Sequence, residues 1–495
     1  MQISKSDYLL YLKHPAWLWL KKHAKSKLPP VDDNLQAMFD AGHEFEPYAE
    51  ARFPDGVKLG FDDFASYRSL PTWTAEAIER GEKTLFQARF EHDNLTFIGD
   101  VIDIVDEGVV GLYEIKSSTS AKPEHIDDLA FQLIVLEGCG YEVSSIAVIH
   151  VNNQYVRGGA IDSLGITAVI DVTDLVKEKR DETTAQAKAA LGMINDPSGV
   201  HPDFSPALAS RSGFREWLDI YRHLFPPAGG SIYNLGGLNA KLLANLEADG
   251  IEQIVDIPDD YALSAKQALQ VESAKLGQPI VHQDKIAEFL DTFSYPLYFL
   301  DYETMASLVP YFDGMRPYQQ VPFQYSLHVI ESPGASPKHL GYLHAEHNNP
   351  AAPLAESLQQ HIGKQGSIIT WNMGFEVGCN DTLAQLAPEY AEVLQQINER
   401  IVDLMTPFSQ LWYVDAAFRG SVSIKAVLPV LVPDLSYQEL EVQEGGAAQR
   451  IWMQTVLDGQ NAENREHILD NLRQYCQLDT LAMVNIYEYL YYCLR

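Results

Sequence analysis

Basic residues are scarce in this chain of 495 residues: 36 Lys and Arg stand against 68 Asp and Glu, for a formal charge of −32 and a pI near 4.7. Coating nucleic acid electrostatically needs a broad Lys/Arg surface, so the acidity argues against that mode of binding. Cysteine is scarcer still. Cys139, Cys379, Cys476 and Cys493 lie far apart with no C-x-x-C pair, which argues for reduced, mostly buried thiols and against a cysteine-bound zinc or iron–sulfur centre. Long apolar runs are missing as well. Stretches such as 146–151 and 423–432 fall well short of the roughly 20 residues that span a bilayer. The opening Met1-Gln-Ile-Ser-Lys-Ser-Asp lacks the basic-then-apolar order of a signal peptide, so a soluble cytoplasmic protein with no membrane partner is expected.

What is present is a globular composition, 46% hydrophobic and 21% charged, in a chain too long for one ordinary core. No fixed-period repeat stands out, which leaves solenoids aside. The stretch 195–206 is rich in Pro, Asp and Ser, and Pro226-Pro-Ala-Gly-Gly-Ser231 follows an aromatic helix over 213–224, so a first domain is placed at 1–225. Short helical patterns over 238–246 and 264–276, with Gly250 as a stop, define a helical connector at 226–290. A third region, 291–495, opens with the apolar run Pro296-Leu-Tyr-Phe-Leu300, a buried strand that delivers Asp301.

Two constellations carry chemistry. In the first region, the segment from Phe97-Ile-Gly-Asp100 to Glu114-Ile-Lys116 reads as two strands around an Asp-Glu-Gly turn. Residues two apart on a strand share a face, so Glu114 and Lys116 project together, with Asp100 on the partner strand. Two acids beside the Ile115 carbonyl suit a hard divalent cation, and a lysine next to it suits charge stabilisation at a phosphate. An isolated Glu-x-Lys would equally be a solvent-facing pair. A helix over 124–138 then carries Gln132, followed by a buried strand over 146–151.

This order of elements and residues resembles the PD-(D/E)XK nucleases of the RecB-like branch, which includes CRISPR-associated exonucleases. The matching elements are Gly99-Asp100, Glu114-Ile-Lys116, Gln132 and an upstream His43 in Phe39-Asp-Ala-Gly-His43. The resemblance implies that His43, Asp100 and Glu114 bind metal, Lys116 is catalytic and Gln132 positions the site. On its residues alone, His43 also reads as a hydrogen-bonded core histidine. The chain departs from the branch at Leu136, where a Tyr often stands. It also has His14-Pro15 and His201-Pro202 near where cluster cysteines are found, so no iron–sulfur cluster is expected. The basic run Lys21-Lys-His-Ala-Lys25-Ser-Lys27 reads as a phosphate contact or as a solvated helix end.

In the last region, Asp301-Tyr-Glu303 places two carboxylates on one face of an extended segment. Gly366-Ser-Ile-Ile-Thr-Trp-Asn372-Met-Gly-Phe-Glu376 reads as a buried strand running into a helix that carries Glu376. Tyr475 and Asp479 stand at i and i+4 on one helix face. Carboxylates from separate elements are what a pair of divalent ions needs, and a tyrosine beside them can orient water. Ordinary surface acids remain the alternative in so acidic a chain.

Order and spacing resemble the DEDD exonucleases of the ribonuclease-H-like fold. Asp301 and Glu303 match the Asp-x-Glu of that superfamily, Tyr475 and Asp479 its Tyr-x-x-x-Asp, and Asn372-Met-Gly-Phe-Glu376 its middle element, with Glu where Asp is usual. The stretch Asp403-Leu and Ser423-Ile-Lys425 echoes polymerase exonuclease domains, where Lys425 would contact phosphate and Asp403 would be structural. Leu235-Gly-Gly-Leu in the connector faintly resembles a helix-hairpin-helix or is a plain spacer.

The expectation is therefore an α/β multidomain protein. It would have a restriction-endonuclease-like core, a helical connector and a ribonuclease-H-like mixed sheet with helices on both faces. Implied by the resemblances are Mg²⁺ or Mn²⁺ at two sites, Asn372 and Lys425 as nucleic-acid contacts, and DNA as partner with RNA as the alternative substrate. The setting would be DNA repair or defence against foreign DNA. A nucleic-acid-binding scaffold with inactive sites is the competing reading.

Overall fold

Valine, isoleucine and aromatic residues crowd the stretches between residues 84 and 151, and there the chain forms strands. The computed structural model describes residues 1–30, 33–437, 440–442 and 444–493, with the side chains of residues 33–35, 37–40 and 493 outside that description. It is an α/β protein that divides into two units. Unit 1 comprises Met1–Pro227, Asn239–Ala248 and Leu308–Pro317, and unit 2 comprises Ala228–Leu238, Asp249–Ser307 and Tyr318–Arg495. The stretch 226–290 that the sequence sets apart as a connector is thus shared between the units, and ten residues from 308 onward belong to unit 1.

Unit 1 holds β1 (Ile3–Ser4), β2 (Val57–Lys58), β3 (Thr84–His92), β4 (Leu95–Asp106), β5 (Val109–Lys116), β6 (Glu142–Val151) and β7 (Thr167–Asp171). The sheet order is β2-β3-β4-β5-β6-β7, with β1 on β4. Strands β3, β4 and β5 form an antiparallel meander, and β6 returns parallel to β5. The Asp-Glu-Gly turn falls between β4 and β5, where Gly108 takes φ 71° at no steric cost. The crossover is the helix Pro123–Gly138, which buries Leu129, Phe131, Leu133 and Leu136 in the core against Leu85, Ile102 and Leu112.

Unit 2 holds β8 (Ile280–Val281), β9 (Leu297–Met305), β10 (Val321–Ile330), β11 (Lys338–Leu343), β12 (Ser367–Thr370), β13 (Ile401–Asp403) and β14 (Tyr413–Val414). Five of these form one mixed sheet in the order β11-β10-β9-β12-β13, antiparallel on the β10 side of β9 and parallel on the β12 side. Strands β8 and β14 pair separately. The period of two along β9 separates two cores. Tyr298, Leu300 and Tyr302 pack with Leu354 and Leu383, whereas Leu297 and Phe299 pack with Ala482 and Ile486 of the helix Arg465–Cys493. Asp301 and Glu303 have the parity of Leu297 and Phe299, so they point to the face that this helix covers.

The glycines Gly236 and Gly237 serve packing inside unit 2. The Gly236 N–H donates to Gln270 Oε1 at 2.8 Å, and Gln267 Nε2 donates to both glycine carbonyls. A Cβ on Gly236 would lie 2.5 Å from the Gly420 Cα, so the backbones meet where only glycine fits. That amide is therefore spent within the protein rather than presented to a phosphate. Cys139, Cys379 and Cys476 are free thiols. Among the described residues no helix is long and apolar enough to cross a membrane.

Candidate functional site

In unit 2, Asp301, Glu303, Tyr475, Asp479 and Lys425 line one cavity of about 400 Å³, together with Phe375, Gly445 and Gln449. Strand β9 supplies the first two, the helix Arg465–Cys493 the next two, and the helix Ile424–Leu431 the lysine. The spacing of four turns Tyr475 and Asp479 the same way, with Cys476 between them against β9. Oxygens of Asp301 and Glu303 and the Cys476 sulfur all lie within 4.8 Å of one another.

The electrostatics follow from crowding like charges away from water. Burial, then Asp479, Glu303 and Glu376, hold Asp301 well above the ordinary carboxylate range, with Lys425 pulling the other way. Burial and Asp479 push Glu303 up to about 8. Burial raises Asp479 to about 6, countered by hydrogen bonding to Tyr437 and by Lys425. Glu376 rises to about 8 through burial first, and its buried Oε2 has no hydrogen-bond partner among the described residues. Glu376 is not part of the cavity lining, but its charge reaches Asp301.

Lys425 Nζ lies 3.3 Å from the Tyr475 hydroxyl and 5.4 and 5.5 Å from the ring centres of Tyr475 and Tyr437. Tyr437 donates to Asp479 Oδ1 at 2.6 Å. Asn372 is exposed, with φ 80°, at the turn from β12 into the helix Met373–Leu386. Its N–H and that of Met373 donate to the two Asp403 oxygens at 3.1 and 3.2 Å. Asp403 thus fixes the start of the helix that carries Glu376.

Unit 1 builds its cluster differently. Asp100 accepts the Ile115 N–H at 2.8 Å, which locks it to the strand that carries Glu114. Lys116 donates to Glu114 Oε1 and Asp128 Oδ2, both at 2.8 Å. Gln132 closes the ring by donating to Glu114 Oε2 at 2.7 Å and Asp128 Oδ1 at 3.1 Å, while its own buried Oε1 has no partner among the described residues. Lys5 adds a second ammonium group 2.7 Å from Glu114 Oε1. Burial and Asp100 would raise Glu114, yet Lys116, Lys5 and Gln132 bring it below the ordinary value. Burial would lower Lys116, but Glu114, Asp128 and Asp100 raise it well above its usual range.

His43 does not join this ring. Its side chain is 76% exposed, with Nδ1 3.1 Å from Glu46 Oε1. The helix Asp33–Glu50 buries Phe45 and Ala49, and a residue two positions before Phe45 lies about 200° around the helix, on the outer side. His14 is consumed structurally. Its Nδ1 accepts from Ala16, its Nε2 meets the Ser205 carbonyl, and its ring stacks on Trp217 at 4.2 Å. His201 packs on Phe204. Lys21 and Lys22 both pair with the buried Asp7.

Four participants escaped the sequence reading. Asp128 stands one helical turn before Gln132, a spacing that would have found it. Cys476 adjoins Tyr475. Lys5 and Tyr437 carry no local signal, since only the fold brings them to Glu114 and Asp479.

The model of the family "Domain of unknown function (DUF2779)" matches residues 298–423, a stretch that includes Asp301, Glu303 and Glu376 and stops short of Lys425, Tyr475 and Asp479. The chain is 28% identical over 206 residues to the uncharacterized protein MG366 homolog of Mycoplasma pneumoniae. It is 25% identical over 206 residues to the uncharacterized protein MG366 of Mycoplasma genitalium. Each match covers 38% of this chain and 31% of the relative, so the chain spans about a third of the length of the relatives it matches.

Proposed function

We propose that the chain is a metal-dependent DNA nuclease with two phosphodiesterase sites, the unit 2 site working from a 3′ end. The observation that carries this reading is the convergence of Asp301, Glu303 and Asp479 with Tyr475 and Lys425 on one cavity, from elements far apart in the chain. The sheet order β11-β10-β9-β12-β13, with the acids on the central strand, supports a ribonuclease-H-like fold for unit 2. The meander, crossover helix and parallel strand of unit 1 support a PD-(D/E)XK core.

The residues fit a divalent cation. Unit 2 gathers acids that burial and then mutual repulsion raise at Asp301 and Glu303, and among the described residues a buried Glu376 oxygen has no hydrogen-bond partner. Oxygen donors suit Mg²⁺ or Mn²⁺. Asp301, Glu303 and Asp479, with Glu376, would hold it there, and Asp100 and Glu114 would do so in unit 1. When bound, such cations supply the acidity that makes water a nucleophile and the charge that offsets a leaving oxygen.

The chain's own groups do the rest. The Tyr475 phenol is held protonated by burial and by the acids around it, so it donates a hydrogen bond to a reacting water. Lys425 meets a phosphate, and Asn372 contacts the strand beside the exposed Met373 and Phe375. In unit 1, Lys116 stabilises charge on a phosphate and Gln132 holds Glu114. A role in DNA repair or defence follows by family analogy alone.

The compensated ring in unit 1, with His43 turned outward, favours a second reading for that unit, in which it binds a strand without cutting it. The test is degradation of end-labelled single- and double-stranded DNA and RNA in Mg²⁺ or Mn²⁺, with Lys116→Ala and Asp301→Ala. Each substitution is expected to remove one of two separable activities. Unchanged traces in both variants would discard the hydrolase reading, and RNA cut in preference to DNA would reassign the substrate.

A further inference from the structure

We propose that Lys5 is a second phosphate-contacting lysine of unit 1, directed at a single DNA strand. This rests on the reading above that unit 1 takes a nucleic-acid strand. Lys5 stands 109 positions before Glu114, at the first turn of the helix Lys5–Lys13, which follows β1 directly. Ser4 and Asp7 cap that helix reciprocally, so the backbone at Lys5 is fixed from both sides. The strand β1 pairs with β4, which carries Asp100. Position 5 is thereby tied to the same sheet as the acids.

Two ammonium groups share the Glu114 Oε1 oxygen, at 2.7 Å for Lys5 and 2.8 Å for Lys116. They differ in what remains free. Lys116 divides its donors between Glu114 and Asp128, whereas Lys5 has one carboxylate partner among the described residues. An ammonium carries three donors, so Lys5 keeps two for an incoming oxygen. Its side chain is 18% exposed, against 24% for Lys116 and 2% for Glu114, so part of it meets solvent. A buried counter-ion needs neither reserve. A strand laid over Glu114 would meet the Lys5 ammonium with one of its phosphates, and each such contact adds a measurable salt dependence to binding.

Binding of a short fluorescein-labelled single DNA strand by the full chain tests this, read by anisotropy over a salt series with Ca²⁺ present. Lys5→Gln can still hydrogen-bond Glu114 but has no charge. It is expected to weaken binding several-fold and to flatten the slope of log affinity against log salt by about 0.7. Lys5→Arg is expected to restore the slope. An unchanged slope in a Lys5→Gln chain that melts like the parent overturns the proposal. If Lys5→Gln melts early, an unchanged slope in the parent after Lys5 is acetylated overturns it equally. Cleavage by an Asp301→Ala chain, with and without Lys116→Met, judges the parent reading separately. A slope change without Lys116-dependent cleavage keeps the Lys5 contact and removes hydrolysis from unit 1.

Discussion

Each unit buries a cluster of carboxylates, and the two clusters meet opposite electrostatic fates. In unit 1, Lys5 and Lys116 sit among Asp100, Glu114 and Asp128, and Glu114 stays below its ordinary value although it is buried. In unit 2, Asp301, Glu303 and Asp479 chiefly face one another, and all three rise. Burial alone therefore does not decide whether an acid keeps its charge; the nearest counter-ion does. Unit 1 carries its positive charge within the chain. Unit 2 gathers acids that hold on to their protons for want of a counter-ion, and a cation from solution could replace those protons, so the metal reading is better supported there.

The sharpest way to break this contrast is to remove one negative charge from each cluster. Glu114→Gln leaves two ammonium groups short of a counter-ion and is expected to cost about 3 kcal/mol of stability. Asp301→Asn relieves repulsion and is expected to leave the metal-free chain as stable as before or more so. Chemical unfolding in chelator measures both. Equal losses in the two variants would mean that the clusters do not differ as described.

pH should separate the units next. Glu303 and Glu376 release their protons near pH 8 when folded, against an ordinary value of 4.5, so the unfolded chain ionises first. The folded state binds more protons across that window, and the stability of metal-free unit 2 is expected to fall from about pH 4.5 to about pH 8 and then level off. Glu114 works in reverse. Its folded value is depressed, so its contribution is present above pH 4.5 and lost as acid titrates it. Added Mn²⁺ is expected to raise the unit 2 melting temperature more at pH 8 than at pH 6. A gain that is larger at pH 6 would place the cation elsewhere.

The sequence made much of this legible because strand parity is strict. Reading 297–303 as a strand was enough to put Asp301 and Glu303 on one face, and the same rule joined Glu114 to Lys116. Helical spacing gave Tyr475 with Asp479. Partners delivered by tertiary packing stayed hidden. No periodicity links Lys5 to Glu114, and Tyr437 lies in a segment after the helix Ile424–Leu431 whose local pattern points nowhere. His43 shows the opposite failure, since a motif can name a residue while the buried side of its own helix decides which way it faces.

Tyr437 offers a finer probe of unit 2. A carboxylate that holds a cation is usually steadied by a hydrogen bond from behind, and loss of that bond costs about 10-fold to 100-fold in affinity. Tyr437→Phe is expected to weaken Mn²⁺ binding by about 10-fold, whereas Tyr475→Phe should lower the rate of cleavage with less effect on Mn²⁺. Calorimetric titration of Mn²⁺ distinguishes the two. Equal affinities in the parent and Tyr437→Phe would make Tyr437 a packing residue only.

The smallest effect is expected at His43. Its ring faces solvent and, among the described residues, meets the neighbouring Glu46 carboxylate, a contact at the surface of the kind that adds little. His43→Ala should therefore change stability by less than about 0.5 kcal/mol. It should also leave unchanged any Mn²⁺ dependence that Lys116-dependent cleavage shows, because bringing the ring to Glu114 would mean turning the helix Asp33–Glu50 and exposing Phe45 and Ala49. A tenfold rise in the Mn²⁺ needed for Lys116-dependent cleavage would show that this helix does turn when the site is loaded. Unit 1 would then be a site that assembles around its cation, and its difference from unit 2 would lie in timing as much as in charge.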